Sequence, residues 1–471
     1  MSDQQPAKLN RVPPPPFTGA NQADSLPVVV IGAGPVGLAA AAHLVQRGLA
    51  FTILEAGATV AASIRDWSHV RTFSPWQYDV DPAAVALLTE TGWSMPDPEH
   101  LPTGAELIDG YLAPLAAHPS IAPWLRLGAR VTSVTRLDHD RMKTPGRDGA
   151  PFVVRFETKG GDEQEIVARA VIDASGTYSS PNPLGSSGVA AIGENAAADR
   201  IFYGIADVLG RDRARYAGRH VLVVGSGHSA FNVLLDLADL AREAPETTIA
   251  WAIRRPEIGQ MFGGGDADGL PARGSLGERV RSLVKSGQVT MTLGFGTRRI
   301  DRNEGRLIVS DGQQMIGPVD EIIATTGFRP DLAPLRELRL SIDPITESPA
   351  ILAPLIDPNV HSCGSVPPHG YEELRHPETD FYIVGMKAYG RAPTALMRTG
   401  YEQVRSVVAA LAGDMEAARR VELVLPETGV CSSGPGGACC VSDEKYGIAP
   451  KHGLELLSLT VGKSVGASCC N

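Results

Sequence analysis

Apolar positions along the chain come in short runs, each closed by glycine or by a charged residue. Val28-Val29-Val30-Ile31 is one such run, β-branched as in a strand buried on both faces of a parallel sheet. It leads into Gly32-Ala33-Gly34-Pro35-Val36-Gly37. The largely apolar stretch from Pro35 to Arg47 predicts a helix, with Gly48 at its C-terminal cap. Phe51-Thr52-Ile53-Leu54 predicts a second strand that ends at Glu55. Alternating stretches from Ala129 to Val134 and from Phe152 to Thr158 predict an antiparallel insertion, after which Arg169 to Asp173 returns to the sheet. The same order then restarts. Val221-Leu222-Val223-Val224 leads into Gly225-Ser226-Gly227-His228-Ser229-Ala230, a helix covers about Ser229 to Ala241, and Ile249 to Ile253 forms a strand. Glu321 to Gly327 and Phe381 to Gly385 predict two further strands, the last preceding a helix over about Thr394 to Leu411.

This order predicts an α/β fold: two Rossmann-like dinucleotide-binding domains with parallel sheets and an antiparallel insertion. The expected division is a flexible arm over 1–26, with polyproline character at Pro13 to Pro16, then a first dinucleotide domain from 27–185. A second domain covers 186–330, the first resumes over 331–426, and a flexible Cys-rich tail occupies 427–471.

The net charge of -10, without a dense Lys/Arg stripe, argues against nucleic acid and anionic membranes as partners. No apolar run reaches the ~18 residues of a transmembrane helix. The N-terminus lacks the basic and apolar regions of a signal peptide, so the expected location is cytoplasmic. Assembly as a homodimer stays open.

Each glycine turn has a physical task. In the first, Gly32 permits the tight turn, Gly34 lets a pyrophosphate approach the backbone, and Gly37 allows close helix–strand packing. The helix that follows, starting at Pro35 and Val36, offers unpaired N–H groups to phosphate. Glu55 can accept ribose hydroxyls and would repel a 2′-phosphate, which points to FAD. The second turn, Gly225, Ser226, Gly227, His228, Ser229 and Ala230, is followed by a strand ending in Arg254-Arg255. Guanidinium groups there suit a 2′-phosphate, which points to NADPH. His228 reads as a residue that caps the helix start rather than as a catalyst.

With these motifs stand Trp67, Leu101-Pro102-Thr103-Gly104-Ala105-Glu106-Leu107, Asp173-Ala174-Ser175-Gly176-Thr177 and Ala324-Thr325-Thr326-Gly327. Over residues 27–425 the chain resembles the flavin-containing monooxygenase-like branch of the two-dinucleotide-domain flavoproteins. The resemblance implies that Trp67, Val131, Ser175, Gly176, Thr326 and Gly327 join the cofactor contacts. It also places Trp67, Arg71, Phe73, Ser74, Pro75 and Trp76 near the isoalloxazine, with Arg71 and Trp76 as catalytic candidates and Arg71 stabilising negative charge on reduced flavin. Phe202-Tyr203-Gly204, Phe262-Gly263-Gly264-Gly265, Tyr389-Gly390-Arg391-Ala392-Pro393-Thr394 and the Cys-Cys tail are similar to flavoproteins encoded with arsenic and heavy-metal resistance genes. One departure stands out: the monooxygenase signature Phe-x-Gly-x-x-x-His is matched by Phe202 and Gly204, but Val208 replaces the histidine.

Of six cysteines, Cys363 stands alone, while Cys431, Cys439, Cys440, Cys469 and Cys470 lie in the tail. Their thiolates suit a thiophilic metal or trivalent arsenic, and Ser468-Cys469-Cys470 resembles the thiol tail of mercuric reductases. No Cys-x-x-Cys lies near the nucleotide domains. His361, Cys363, His369 and His376 match no common zinc spacing, and Asp331 reads as a turn residue. The reading that results is an FAD-dependent NADPH oxidoreductase, monooxygenase-like, oxidising a sulfur, nitrogen or arsenic centre of a small substrate with reduced flavin and oxygen. Two alternatives remain: a reductase whose tail thiols present a metal(loid) or a disulfide, and a flavin-bound redox or metal sensor.

Overall fold

The computed structural model describes residues 26–257, 262, 271–360, 366, 368–392 and 396–423, without the side chains of 271–273. They belong to one unit, Met1–Gly434; a second, Pro435–Asn471, lies outside the described residues, as do all six cysteines and His361.

Two five-stranded parallel sheets organise the chain. The first has the order Phe381–Ile383, Ala170–Asp173, Val28–Ile31, Phe51–Glu55, Leu125–Leu127. Its central strand is buried from end to end, which is why it tolerates no polar residue. The helix Pro35–Gln46 crosses between the first two strands and buries Leu38 through Leu44. It ends where Gly48 takes φ +65°, a left-handed turn that glycine adopts without strain. Helix Met397–Leu411 follows the edge strand and belongs to the same core.

The second sheet has the order Val289–Leu293, Thr248–Ile253, His220–Val224, Glu321–Ala324, Ile201–Tyr203. Helix His228–Glu243 covers it, with Phe231, Leu234 and Leu237 buried against Val221, Val223 and Trp251. The strand at Glu321 stops at Ala324 rather than running to Gly327, where its partner strand ends at Val224 and turns away at Gly225, φ +131°; Thr325 bonds the Val224 carbonyl through both N, at 2.8 Å, and Oγ1, at 2.9 Å.

The expected antiparallel insertion is present and gains a third strand: Ala129–Arg136, Phe152–Thr158 and Glu163–Ala168. A second antiparallel sheet, Arg299–Asn303, Arg306–Ser310 and Met315–Val319, was not anticipated. Its first strand carries charge on exposed positions, and the apolar stretches of the other two, Leu307 to Val309 and Met315-Ile316, are only two or three residues long. Between the two parallel sheets the chain passes twice, and the passages pair: Asn182 N donates to the Gly327 carbonyl at 2.9 Å, and Thr326 Oγ1 to the Asn182 carbonyl at 2.7 Å. Tyr178 and Phe328 stack beside them, ring centroids 4.8 Å apart.

Candidate functional site

At the first turn Gly32 has φ +98°, and a Cβ there would stand 2.8 Å from the Ala174 carbonyl oxygen. A Cβ on Gly37 would stand 2.0 Å from the Gly32 oxygen, so helix and turn touch backbone to backbone. Gly34 differs: nothing lies within 4 Å of its Cβ position. The helix is capped by Gly34 with no side-chain bond, so its leading N–H groups face that open space. Gly176, with φ +69°, is likewise open. Such a cradle fits a dinucleotide pyrophosphate.

Glu55 fastens the turn. Its Oε2 accepts from Ala33 N at 2.7 Å and its Oε1 from Gly57 N at 2.7 Å. Each oxygen keeps a lone pair for a further donor. Val131 lies on the first antiparallel sheet, opposite Phe156.

Beside this turn the structure holds a buried ion pair with little signature in the sequence. Lys387 Nζ lies 2.7 Å from Asp173 Oδ2 and 3.0 Å from Ser175 Oγ, while Ser175 Oγ donates to Asp173 Oδ1 at 2.6 Å. Lys387 and Asp173 are 3% and 1% exposed, and together they set the Ser175-Gly176 turn in place. The one available signal was a lysine two residues after the glycine that closes an apolar strand.

The segment from Trp67 to Trp76 is brought beside the first turn by Ala61 N, which donates to the Ala33 carbonyl at 3.0 Å. Its side chains point in different directions. The Trp67 ring leaves Gly104 no room for a Cβ, which would come within 3.0 Å of it. Arg71 is exposed, donates to the Leu101 carbonyl and stands 3.7 Å from Glu106. Trp76 is buried, against Gly110. Thr72 Oγ1 donates to the Ser74 carbonyl at 2.8 Å, and Ser74 Oγ to Asp79 Oδ1 at 2.6 Å. Burial pushes the Asp79 carboxyl up to about 7, against the pull of the Ser74 and Thr72 hydroxyls. Sequence reasoning missed Asp79, whose burial only the fold reveals.

At the second turn Gly225 has φ +131°, and a Cβ would lie 2.4 Å from Thr325 Oγ1. Gly227 again faces open space. Ala230, fully buried, stands where the first turn needs Gly37, so here the helix start stands far enough off the turn for a methyl group. Ser226 and Ser229 are half-buried in the turn. The cap is Gly227 and makes no side-chain bond, so His228 opens the helix instead of capping it. Its ring meets Phe73 at 5.1 Å and Phe231 at 5.9 Å, both edge-on. Arg254 and Arg255 are exposed just beyond the strand Thr248–Ile253; Arg254 Nη1 reaches the Ser186 carbonyl at 3.4 Å.

Val208 is buried in the core of the second sheet. His69, from the segment after the first glycine turn, approaches that stretch. It lies near Ala206, Asp207, Arg211 and Asp212 with its Nε2 buried and without a partner among the described residues, and burial holds its pKa below the ordinary 6.5. His369 pairs with Gln403 at 2.8 Å, and His376 Nδ1 accepts from Ser341 N at 3.3 Å, so these two histidines have separate partners. Asp331 closes a turn by accepting from Ala333 N at 2.9 Å. Cys431, Cys439, Cys440, Cys469 and Cys470 fall outside the described residues.

Residues 29–352 match the family model described as pyridine nucleotide-disulphide oxidoreductase. A probable indole-3-pyruvate monooxygenase of Arabidopsis thaliana, YUCCA7, is 25% identical over 367 residues, 64% of this chain and 74% of that protein. A ferredoxin–NADP reductase of Salinispora arenicola is 27% identical over 323 residues, 67% of this chain and 78% of that one. Among solved structures, the bacillithiol disulfide reductase Bdr of Bacillus cereus covers 82% of this chain and 99% of its own, with TM-score 0.61 and 18% identity, a likeness of fold.

Proposed function

We propose that this chain, which belongs to the pyridine nucleotide-disulphide oxidoreductase family, is an FAD-dependent NADPH oxidoreductase of monooxygenase-like type. The observation that carries the reading is the pair of glycine turns, Gly34 and Gly227 each open at a helix N-terminus, with Glu55 beside the first and Arg254-Arg255 beyond the strand after the second. The first turn, with Ser175 and Gly176, holds the FAD pyrophosphate; the second holds NADPH. NADPH supplies a hydride, and FAD carries its two electrons to the acceptor. The protein's own part is to bind, orient and exclude. Helix N–H groups neutralise phosphate, Glu55 fixes the first turn and accepts from ribose, and Arg254 and Arg255 pair with the 2′-phosphate. Residues 27–185 and 331–426 form the FAD domain and 186–330 the NADPH domain.

The acceptor is oxygen together with a small nucleophilic substrate whose reacting atom is sulfur, nitrogen or arsenic. Two observations favour this over dithiol exchange: no cysteine precedes Cys363, so neither nucleotide turn has a thiol near it in sequence, and YUCCA7 is a monooxygenase by name. The soft thiolates that the tail sequence offers support a role in metal(loid) resistance. The alternative, a reductase of a thiol-bound metal(loid) or disulfide, is favoured by the fold shared with a disulfide reductase. No helix among the described residues is long and apolar enough to cross a membrane.

The deciding experiment follows NADPH, oxygen and product together, offering a thioether, an amine and arsenite in turn. A monooxygenase consumes one NADPH and one oxygen per oxygenated product, with hydrogen peroxide a minor product for at least one substrate. Stoichiometric peroxide with every substrate, or oxygen-independent NADPH oxidation with a disulfide, would overturn the reading.

A further inference from the structure

We propose that Phe73 governs entry of the nicotinamide ring: its phenyl group stands against His228 between the two glycine turns, and a nicotinamide nucleotide arriving at the second turn must displace it. The inference rests on the reading of the second turn as the NADPH site. Three features point to it.

The first is position. The segment that carries Phe73 begins beside the first turn, where Ala61 N bonds the Ala33 carbonyl, and it reaches residues around the second parallel sheet at two places. Arg211 Nη2 donates to the Asp66 carbonyl at 3.3 Å, and the Phe73 ring lies 5.1 Å from the His228 ring, tilted by 61°. His228 directly follows Gly227, whose Cβ position is open. The ring pair therefore borders the approach to the second turn on the side of the first.

The second is unequal anchoring. The backbone around Phe73 is pinned on both sides: Thr72 N bonds the Pro102 carbonyl at 2.8 Å, and Ser74 is held by Asp79. The phenyl ring has no such tie. It is half-buried and offers no polar group, so it can turn about its side-chain bonds while the backbone stays.

The third is that His228 is braced. It packs on Phe231, which packs on Trp251 at 6.1 Å, and Trp251 Nε1 donates to the Gly225 carbonyl at 2.7 Å. Of the two rings, Phe73 is the one free to yield. An aromatic pair of this geometry biases an equilibrium by about 2- to 12-fold, and binding pays that factor when the pair opens.

The test uses the purified holoprotein. NADP+ is titrated against wild type, Phe73→Ala, Phe73→Leu and Phe73→Trp, read from the change in flavin absorbance, with FAD content and thermal midpoint measured on each. The expected result is NADP+ affinity raised about 2- to 12-fold in Phe73→Ala, raised less in Phe73→Leu and lowered in Phe73→Trp. His228→Ala should raise it too, and the double variant should add little, since both remove the same contact. Unchanged or weaker binding in Phe73→Ala and Phe73→Leu at normal FAD content would overturn the proposal, because Phe73 would then support the bound ring or ignore it. If wild type retains FAD, yet NADP+ leaves its spectrum unmoved and NADPH fails to bleach it, the assignment of the second turn falls, and this inference with it.

Discussion

Asp79 closes the short helix Trp76–Asp79, is 1% exposed, and has an Oδ2 without a hydrogen-bond partner among the described residues. Burial raises its pKa from the ordinary 3.8 to about 7. In the unfolded chain the proton leaves near pH 4; in the folded one it is kept until about 7. Between those values the native state binds more protons, so stability falls as pH rises. That interval corresponds to about 4 kcal/mol in all, of which about 3 kcal/mol is lost between pH 5 and pH 8. Asp79→Asn cannot ionise. Its carbonyl can still accept from Ser74, while its amide, placed where Oδ2 lacked a partner, costs about 1–3 kcal/mol. The variant should therefore match wild type or fall slightly below it at pH 5, and exceed it at pH 8. The measurement is urea unfolding of both holoproteins at the two pH values, taking the difference at each. A shift of about 3 kcal/mol in that difference is expected. A difference that stays flat with pH would refute the reasoning, since Asp79 would then be ionised in both states or in neither.

Gly34→Val should lose FAD while folding normally, because its Cβ meets nothing within 4 Å; Gly32→Val should lose the fold itself, its Cβ falling 2.8 Å from the Ala174 oxygen at φ +98°. Far-ultraviolet circular dichroism and flavin content of the two separate these outcomes. Arg254→Gln with Arg255→Gln should raise the KM for NADPH about 10- to 100-fold and leave NADH nearly unchanged, as steady-state kinetics with both nucleotides would report. Glu378 accepts from Arg136 Nε at 2.8 Å and Arg147 Nη2 at 2.7 Å, all three buried. Glu378→Ala leaves two buried guanidinium groups uncompensated and should cost about 3–5 kcal/mol in chemical denaturation. That cost should persist in high salt, because buried pairs are screened little.

Both glycine turns and their strands were legible because their causes are local. A φ of +98° at Gly32 and a 2.0 Å approach at Gly37 admit one residue type at a fixed offset from a β-branched run, and that leaves a mark in the sequence. The sheet spanning Arg299 to Val319 leaves a fainter one: its first strand sets Arg299, Asp301 and Arg302 in solvent, and its apolar stretches, Leu307 to Val309 and Met315-Ile316, are only two or three residues long. His228 shows where local reading stops: its place at the helix start was correct, but Gly227 already supplies the cap, so the imidazole turns to Phe73 instead. Longer pairings fade further. Lys387 and Asp173 are 214 positions apart, and nothing near either residue names the other. Closing so long a loop costs only slightly more than closing a short one, so such a pair needs no local device to bring it about. What it does need is burial, and burial is decided by the two parallel sheets together. The cofactor turns could therefore be read residue by residue, whereas Lys387, Asp79 and the Phe73–His228 contact could be found only once the sheets were in place.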